Sequence, residues 1–142
     1  MSDISTNRKG YGVVKVTHDG VRIITGYDIV RYYQWLINRA TWDTVKNQLP
    51  RFGAHITIVN RKIHNFSFKE ALEFNNLELE FDYFPEDIHQ SRVNFWMPVK
   101  CEKALQIKKN LKVTDKDFWG LHLTICNTKF NLTDKKSKYI AL

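Results

Sequence analysis

Gly53-Ala-His55-Ile-Thr57-Ile58-Val-Asn60 and Gly120-Leu-His122-Leu-Thr124-Ile125-Cys-Asn127 are two versions of one block. Gly, His, Thr, Ile and Asn recur at matching places, each 67 positions from its counterpart, so both blocks read Gly-φ-His-φ-Thr-Ile-φ-Asn with φ apolar. Side chains alternate faces along an extended strand, so His and Thr two apart share one face while the apolar residues point the other way. Two such strands side by side bring two imidazoles and two hydroxyls to one surface. Groups of that kind suit acid/base chemistry at a phosphate.

The flanking sequence divides into short elements. Tyr11 to Thr17 reads as a β-branched strand, Asp19-Gly20 as a turn, and Val21 to Ile24 as the return strand. Ile29, Val30, Tyr33, Leu36 and Ile37 fall at helical spacing within a helix predicted over Tyr27 to Ala40. Thr41 to Thr44 reads as a cap for a second helix that Pro50 ends. The first motif strand is expected over Ala54 to Val59, and a polar connection over Arg61 to Asn65. Ser67 to Glu70 has capping-box spacing at the start of a short helix.

Leu77 to Phe81 alternates as a half-solvated strand does, and Arg92 to Val99 reads as another. Glu102 to Leu111 is expected to be a helix with Leu105, Ile107 and Leu111 inward and Lys103, Lys108 and Lys109 outward. The second motif strand follows over Leu121 to Cys126, with a terminal strand at Lys138 to Leu142. A strand–helix–motif-strand unit thus occurs twice, the first copy over about residues 11–60 and the second ending in the motif of 120–127. Without a regular βαβα alternation, antiparallel or mixed pairing in an α+β fold is expected over a parallel sheet.

The 142 residues suffice for one domain with a real core, here the whole of 1–142. No run approaches the roughly 18 apolar residues of a membrane helix, and the polar start lacks a signal-peptide core. A cytoplasmic location without membrane attachment is the expectation. Cys101 and Cys126, each in an apolar run and without Cys-x-x-Cys spacing, read as buried thiols. The net charge is +7, and residues 101–142 hold nine Lys against four acids. Such a surface favours polyanionic ligands.

The paired His-x-Thr blocks resemble those of the 2H phosphoesterase superfamily, and the layout from Tyr11-Gly-Val-Val-Lys-Val through the aromatic-rich helix is most similar to phage anti-CBASS phosphodiesterases. The resemblance implies a two-lobed, pseudo-twofold fold, its mixed or antiparallel sheets forming a central cleft with helices outside. It implies His55 and His122 as the acid/base pair and Thr57 and Thr124 as phosphate ligands. The implied substrates are cyclic di- and trinucleotide immune signals of the bacterial host, cut at a 3′–5′ bond. An RNA 2′,3′-cyclic phosphodiesterase acting on RNA ends, and a non-catalytic nucleotide- or RNA-binding module, are the alternatives. No obligate protein partner is evident.

Phosphodiester cleavage needs a base for the nucleophile, an acid for the leaving oxygen and donors for the non-bridging oxygens. Histidine serves either proton role near neutrality, and threonine donates a hydrogen bond without a charge of its own. The His spacing provides no metal set of three or four ligands, so no cofactor is expected, and an internal ribose 2′-hydroxyl becomes the attractive nucleophile. The glycines two residues before each His are read as room for a close ligand, and Asn60 and Asn127 as strand-ending turn residues. Trp119, beside Phe118, and Tyr11 are candidates to stack on a nucleobase. Arg51, Lys62 and Lys129 flank the motifs as candidate holders of a second phosphate.

Overall fold

The computed structural model describes residues 8–40, 47–48, 53–90, 94–113 and 120–128. Its strands are β1 (Lys9–Thr17), β2 (Gly20–Thr25), β3 (Asn47–Gln48), β4 (His55–Asn60), β5 (Glu78–Tyr83), β6 (His89–Gln90), β7 (Asn94–Lys100) and β8 (His122–Thr128). The helices are α1 (Asp28–Ala40), α2 (Phe68–Ala71) and α3 (Glu102–Asn110), with short 3-10 turns at Leu72–Phe74 and Pro85–Asp87. The expected terminal strand lies outside the described residues. Among these, no helix is long and apolar enough to cross a membrane.

The eight strands form one sheet in the order β3-β8-β4-β2-β1-β5-β7-β6, and a further β8–β7 pairing closes six of them into an antiparallel barrel. The α+β class and antiparallel pairing agree with the sequence. Closure makes the two halves equivalent in topology. In one half β1 pairs with β2, and the chain passes through α1 to β4 beside β2. In the other, β5 pairs with β7, and the chain passes through α3 to β8 beside β7. The halves meet at β1–β5 on one side and β4–β8 on the other.

The core follows from alternation. Ile23, Ile56, Leu123 and Met97 are consecutive partners across β2, β4, β8 and β7, and all four are 0% exposed. Val30, Tyr33 and Ile37 of α1, Ala104 and Ile107 of α3, and Leu111 at the C-cap of α3 join the same core. The interval 30–33–37 is the i, i+3, i+7 stripe that an amphipathic helix buries.

Two local expectations need correction. In α3 the buried stripe is Ala104, Ile107, Lys108 and Leu111, so Lys108 is 4% exposed while Leu105 is 46% exposed. Positions 104, 107, 108 and 111 share one side of a helix, and a lysine stem on that side covers apolar surface as well as an aliphatic chain does. Asn47 and Gln48 pair with Thr128 and Asn127 as a strand, not within the expected second helix, whose other residues lie outside the described ones. The helix start expected at Ser67 is present as an N-cap: the Glu70 backbone N–H donates to Ser67 Oγ at 3.2 Å. Cys101 and Cys126 are buried free thiols.

Candidate functional site

β4 and β8 run antiparallel and bridge at Ile56 and Leu123, which occupy the same place in the two blocks. A local twofold axis passes between them. Antiparallel counting outward from that bridge sets His55 across from Thr124 and Thr57 across from His122. Each threonine therefore neighbours the other block's histidine. All four side chains are half-buried on the face opposite Ile56 and Leu123. Directly opposite side chains in an antiparallel pair stand about 5 Å apart at Cβ, so the four predicted site residues form one compact patch.

Both imidazoles are anchored alike. His55 Nδ1 lies 3.0 Å from the Gly53 carbonyl oxygen, and His122 Nδ1 lies 3.4 Å from that of Gly120. A carbonyl only accepts, so each Nδ1 carries the proton and the basic nitrogen of the neutral ring is Nε2. Gly53 and Gly120 have φ of +85° and +62°, a backbone region that costs other L-residues 1–2 kcal/mol or so. This conformation turns each carbonyl back onto the ring two residues later. The positive φ gives each glycine a backbone reason of its own, and the space beside Gly120, where a Cβ would meet nothing within 4 Å among the described residues, is compatible with the reading of it as room for a ligand.

The second half of each block holds a matched irregularity. Val21 pairs with Val59 but Arg22 with Thr57, so β4 has an extra residue, Ile58. Phe95 pairs with Cys126 but Trp96 with Thr124, so β8 has an extra residue, Ile125. These β-bulges let Ile58 and Val59, and likewise Ile125 and Cys126, all be buried in succession. The adjacent apolar pair after each threonine was the visible sign of a bulge. It also returns each Asn to the site-bearing face. Asn60 ends its strand as expected, accepting from the Lys62 backbone N–H at 3.0 Å through Oδ1. Asn127 does not end its strand; it lies inside β8 and its Nδ2 donates to Asn94 Oδ1.

The walls break the symmetry of the centre. Beside Thr57 the partner strand places Arg22, and beside Thr124 it places Trp96. Trp96 lies 5.3 Å from the His122 ring centroid, and His89 stacks on Trp96 at 4.4 Å. On the other flank a depression of about 730 Å³ is lined by Arg22, Ile24, His55, Thr57, Asn60, Lys62, Arg61 and Asp19. Arg61 is committed to structure, donating to the His18 and Phe66 carbonyls with its guanidinium 4.2 Å over the Phe66 ring. Arg22 takes part in none of the ion pairs among the described residues.

Of the other sequence candidates, Lys62 lines this depression, and Tyr11 is 66% exposed on the site-bearing face of β1. It is two strands removed from β4 and borders a second hollow that shares Ile24 with the first. Trp119, Phe118, Arg51 and Lys129 lie outside the described residues. Sequence reading missed Arg22 and Trp96. Strand alternation marks the face of each, but only register reveals its neighbour. Among the described residues, no group of three or more His, Cys, Asp or Glu side chains is arranged to hold a metal.

Comparison with protein-family models, curated proteins and solved structures returns no match.

Proposed function

We propose that the chain is a phosphodiesterase of the 2H type that cleaves 3′–5′ bonds of cyclic di- or trinucleotides by paired-histidine acid/base catalysis, without a metal. The observation that carries this reading is the meeting of the two His-x-Thr blocks about one local twofold, each imidazole held by Nδ1 so that Nε2 is the proton-transferring atom. Two such nitrogens and two hydroxyls on one patch match the needs of a phosphoryl centre: one imidazole takes a proton, the other gives one, and the threonines donate to the non-bridging oxygens. On this reading the two halves of the barrel are the two lobes of the superfamily fold, and the surface between β4 and β8 is the floor of its cleft. Arg22 and Lys62 beside the patch suit a substrate with a further phosphate. Phage origin and action in a bacterial host's cytoplasm follow from the same resemblance.

The test is incubation with a panel of cyclic oligonucleotides and 2′,3′-cyclic mononucleotides in EDTA, with products identified by mass. The expected result is a linear product ending in a 2′,3′-cyclic or terminal phosphate, abolished by a 2′-deoxy sugar at the scissile position. Rapid opening of cyclic mononucleotides with cyclic dinucleotides untouched would favour action on RNA ends. Binding without turnover would favour a nucleotide-binding module.

A further inference from the structure

The helix α1 carries two stripes. Val30, Tyr33 and Ile37 face the core, while Tyr32, Trp35, Leu36 and Arg39 line another side of the helix. Positions 32, 35, 36 and 39 have the i, i+3, i+4, i+7 spacing with which a helix packs on a partner. Yet Tyr32 and Trp35 are each 54% exposed, and Leu36 is 37% exposed. The rings form an ordered cluster: Tyr32 and Trp35 have centroids 6.5 Å apart, and Tyr32 meets Tyr33 edge-on at 4.9 Å. The Arg39 guanidinium lies 5.1 Å over the Trp35 ring. Trp, Tyr and Arg supply most of the binding energy at protein interfaces. Neither Lys nor Glu, both depleted at interfaces, occurs in α1.

Charges of both signs edge this cluster. Arg31 and Arg39 are exposed on the helix. Beside it Tyr33 meets Tyr83 at 6.3 Å, and the chain runs from Tyr83 into the Pro85–Asp87 turn, where Glu86 and Asp87 are exposed. Glu86 pairs with Arg8 at 3.8 Å, while Asp87 and Arg39 take part in none of the ion pairs among the described residues. Acids at the edge oppose an anionic lipid or nucleic-acid surface. A ring cluster between a cation and an acid instead complements itself, as a twofold contact requires. The stripe also has the same spacing in both directions about the point between Trp35 and Leu36.

We propose that this face binds a second copy of the chain, the two α1 helices lying antiparallel about a twofold axis between Trp35 and Leu36. In that pairing Trp35 of each copy packs on Leu36 of the other. Reversal of the helix brings Arg39 of each copy to Tyr32 of the other, at the end beside the Pro85–Asp87 turn, where it meets Asp87. The contact shares no residue with the β4–β8 site and does not depend on the phosphodiesterase reading.

The experiment is sedimentation of the full chain over a concentration series. The mass should rise with concentration from 16.8 kDa toward twice that value. Trp35→Glu should weaken the association by about 30-fold or more, the fold-change of an interface hot spot. Arg39→Glu and Asp87→Lys should each stay monomeric where the wild type dimerises, because like charges then meet at both ends of the contact. An equimolar mixture of those two variants should dimerise again: the reversed position 39 meets the reversed position 87, and native meets native. Rescue by mixing also requires both variants to be folded, which loss of association alone would not establish. A mass of 16.8 kDa at every concentration, a dimer that Trp35→Glu leaves intact, or two variants that fail to restore one another would overturn the proposal. So would binding to anionic phospholipid vesicles that Trp35→Glu abolishes while the chain stays monomeric.

Discussion

Ile56 and Leu123 face one another across β4 and β8, and they hold the same position in the two repeated blocks. One backbone bridge therefore locates the local twofold, and it lies beneath the catalytic candidates. Both residues are fully buried, so the apolar floor that joins the halves also sets the spacing of the imidazoles above it.

If the two imidazoles act as one device, replacing His55 or His122 by Ala removes most of the rate on an ordinary diester, and the double variant loses little more. Thr57→Ala and Thr124→Ala are milder, on the order of 10- to 1000-fold, since each removes one hydrogen bond to developing charge. Steady-state rates on the cyclic dinucleotide check the ordering. Independent, multiplicative losses would contradict it.

Gly53→Ala and Gly120→Ala each place a Cβ on left-handed backbone. Each is expected to cost 1–2 kcal/mol or so in urea unfolding, Gly53→Ala the more because its Cβ would lie 3.3 Å from the Tyr27 hydroxyl. Activity should fall further than stability, because the anchoring carbonyl moves with the backbone. A fully active, fully stable Gly120→Ala protein would refute the account of these glycines.

The bulge residues are expected to matter as buried side chains more than as insertions. Ile58→Val or Ile125→Val should cost about 0.5–1.5 kcal/mol, the usual cost of one buried methyl. Deleting either residue removes the bulge but keeps Val59 opposite Val21, or Cys126 opposite Phe95, with the following Asn still on the site-bearing face. The barrel should still fold cooperatively, with a larger loss of about 2–5 kcal/mol, the usual cost of a large buried aliphatic side chain. Thermal unfolding followed by circular dichroism separates the two outcomes.

Burial pushes the Cys126 thiol up from an ordinary value of 9.0 to about 12, and burial likewise raises that of Cys101. A raised value in the folded state means that folding favours the protonated thiol. The associated stability is complete below about pH 9 and is lost as pH rises from there toward 12. The urea midpoint should therefore decline over that range, and less steeply in Cys126→Val. At pH 8 the native thiols should react with a disulfide reagent only as fast as the protein opens.

Much of the site could be read from the chain alone, because it depends on local geometry. A strand has a side-chain period of two wherever it lies, so His55 with Thr57, and His122 with Thr124, had to share a face opposite the apolar residues. Repetition of the block marked both strands as equivalent, and the lack of a regular βαβα alternation made the antiparallel or mixed α+β class legible. The faces of α1 and α3 were legible only in part, since Leu36, Leu105 and Lys108 satisfy a rough helical spacing whichever of them is buried. What the tertiary structure alone decided is who stands beside whom. Register between β4 and β8, and between each and its outer partner, depends on closing the barrel through segments far apart in sequence. That closure placed Ile56 on Leu123, Arg22 beside Thr57 and Trp96 beside Thr124. Strand periodicity assigns a face, whereas long-range pairing assigns neighbours, and the difference between the two histidines lies in their neighbours.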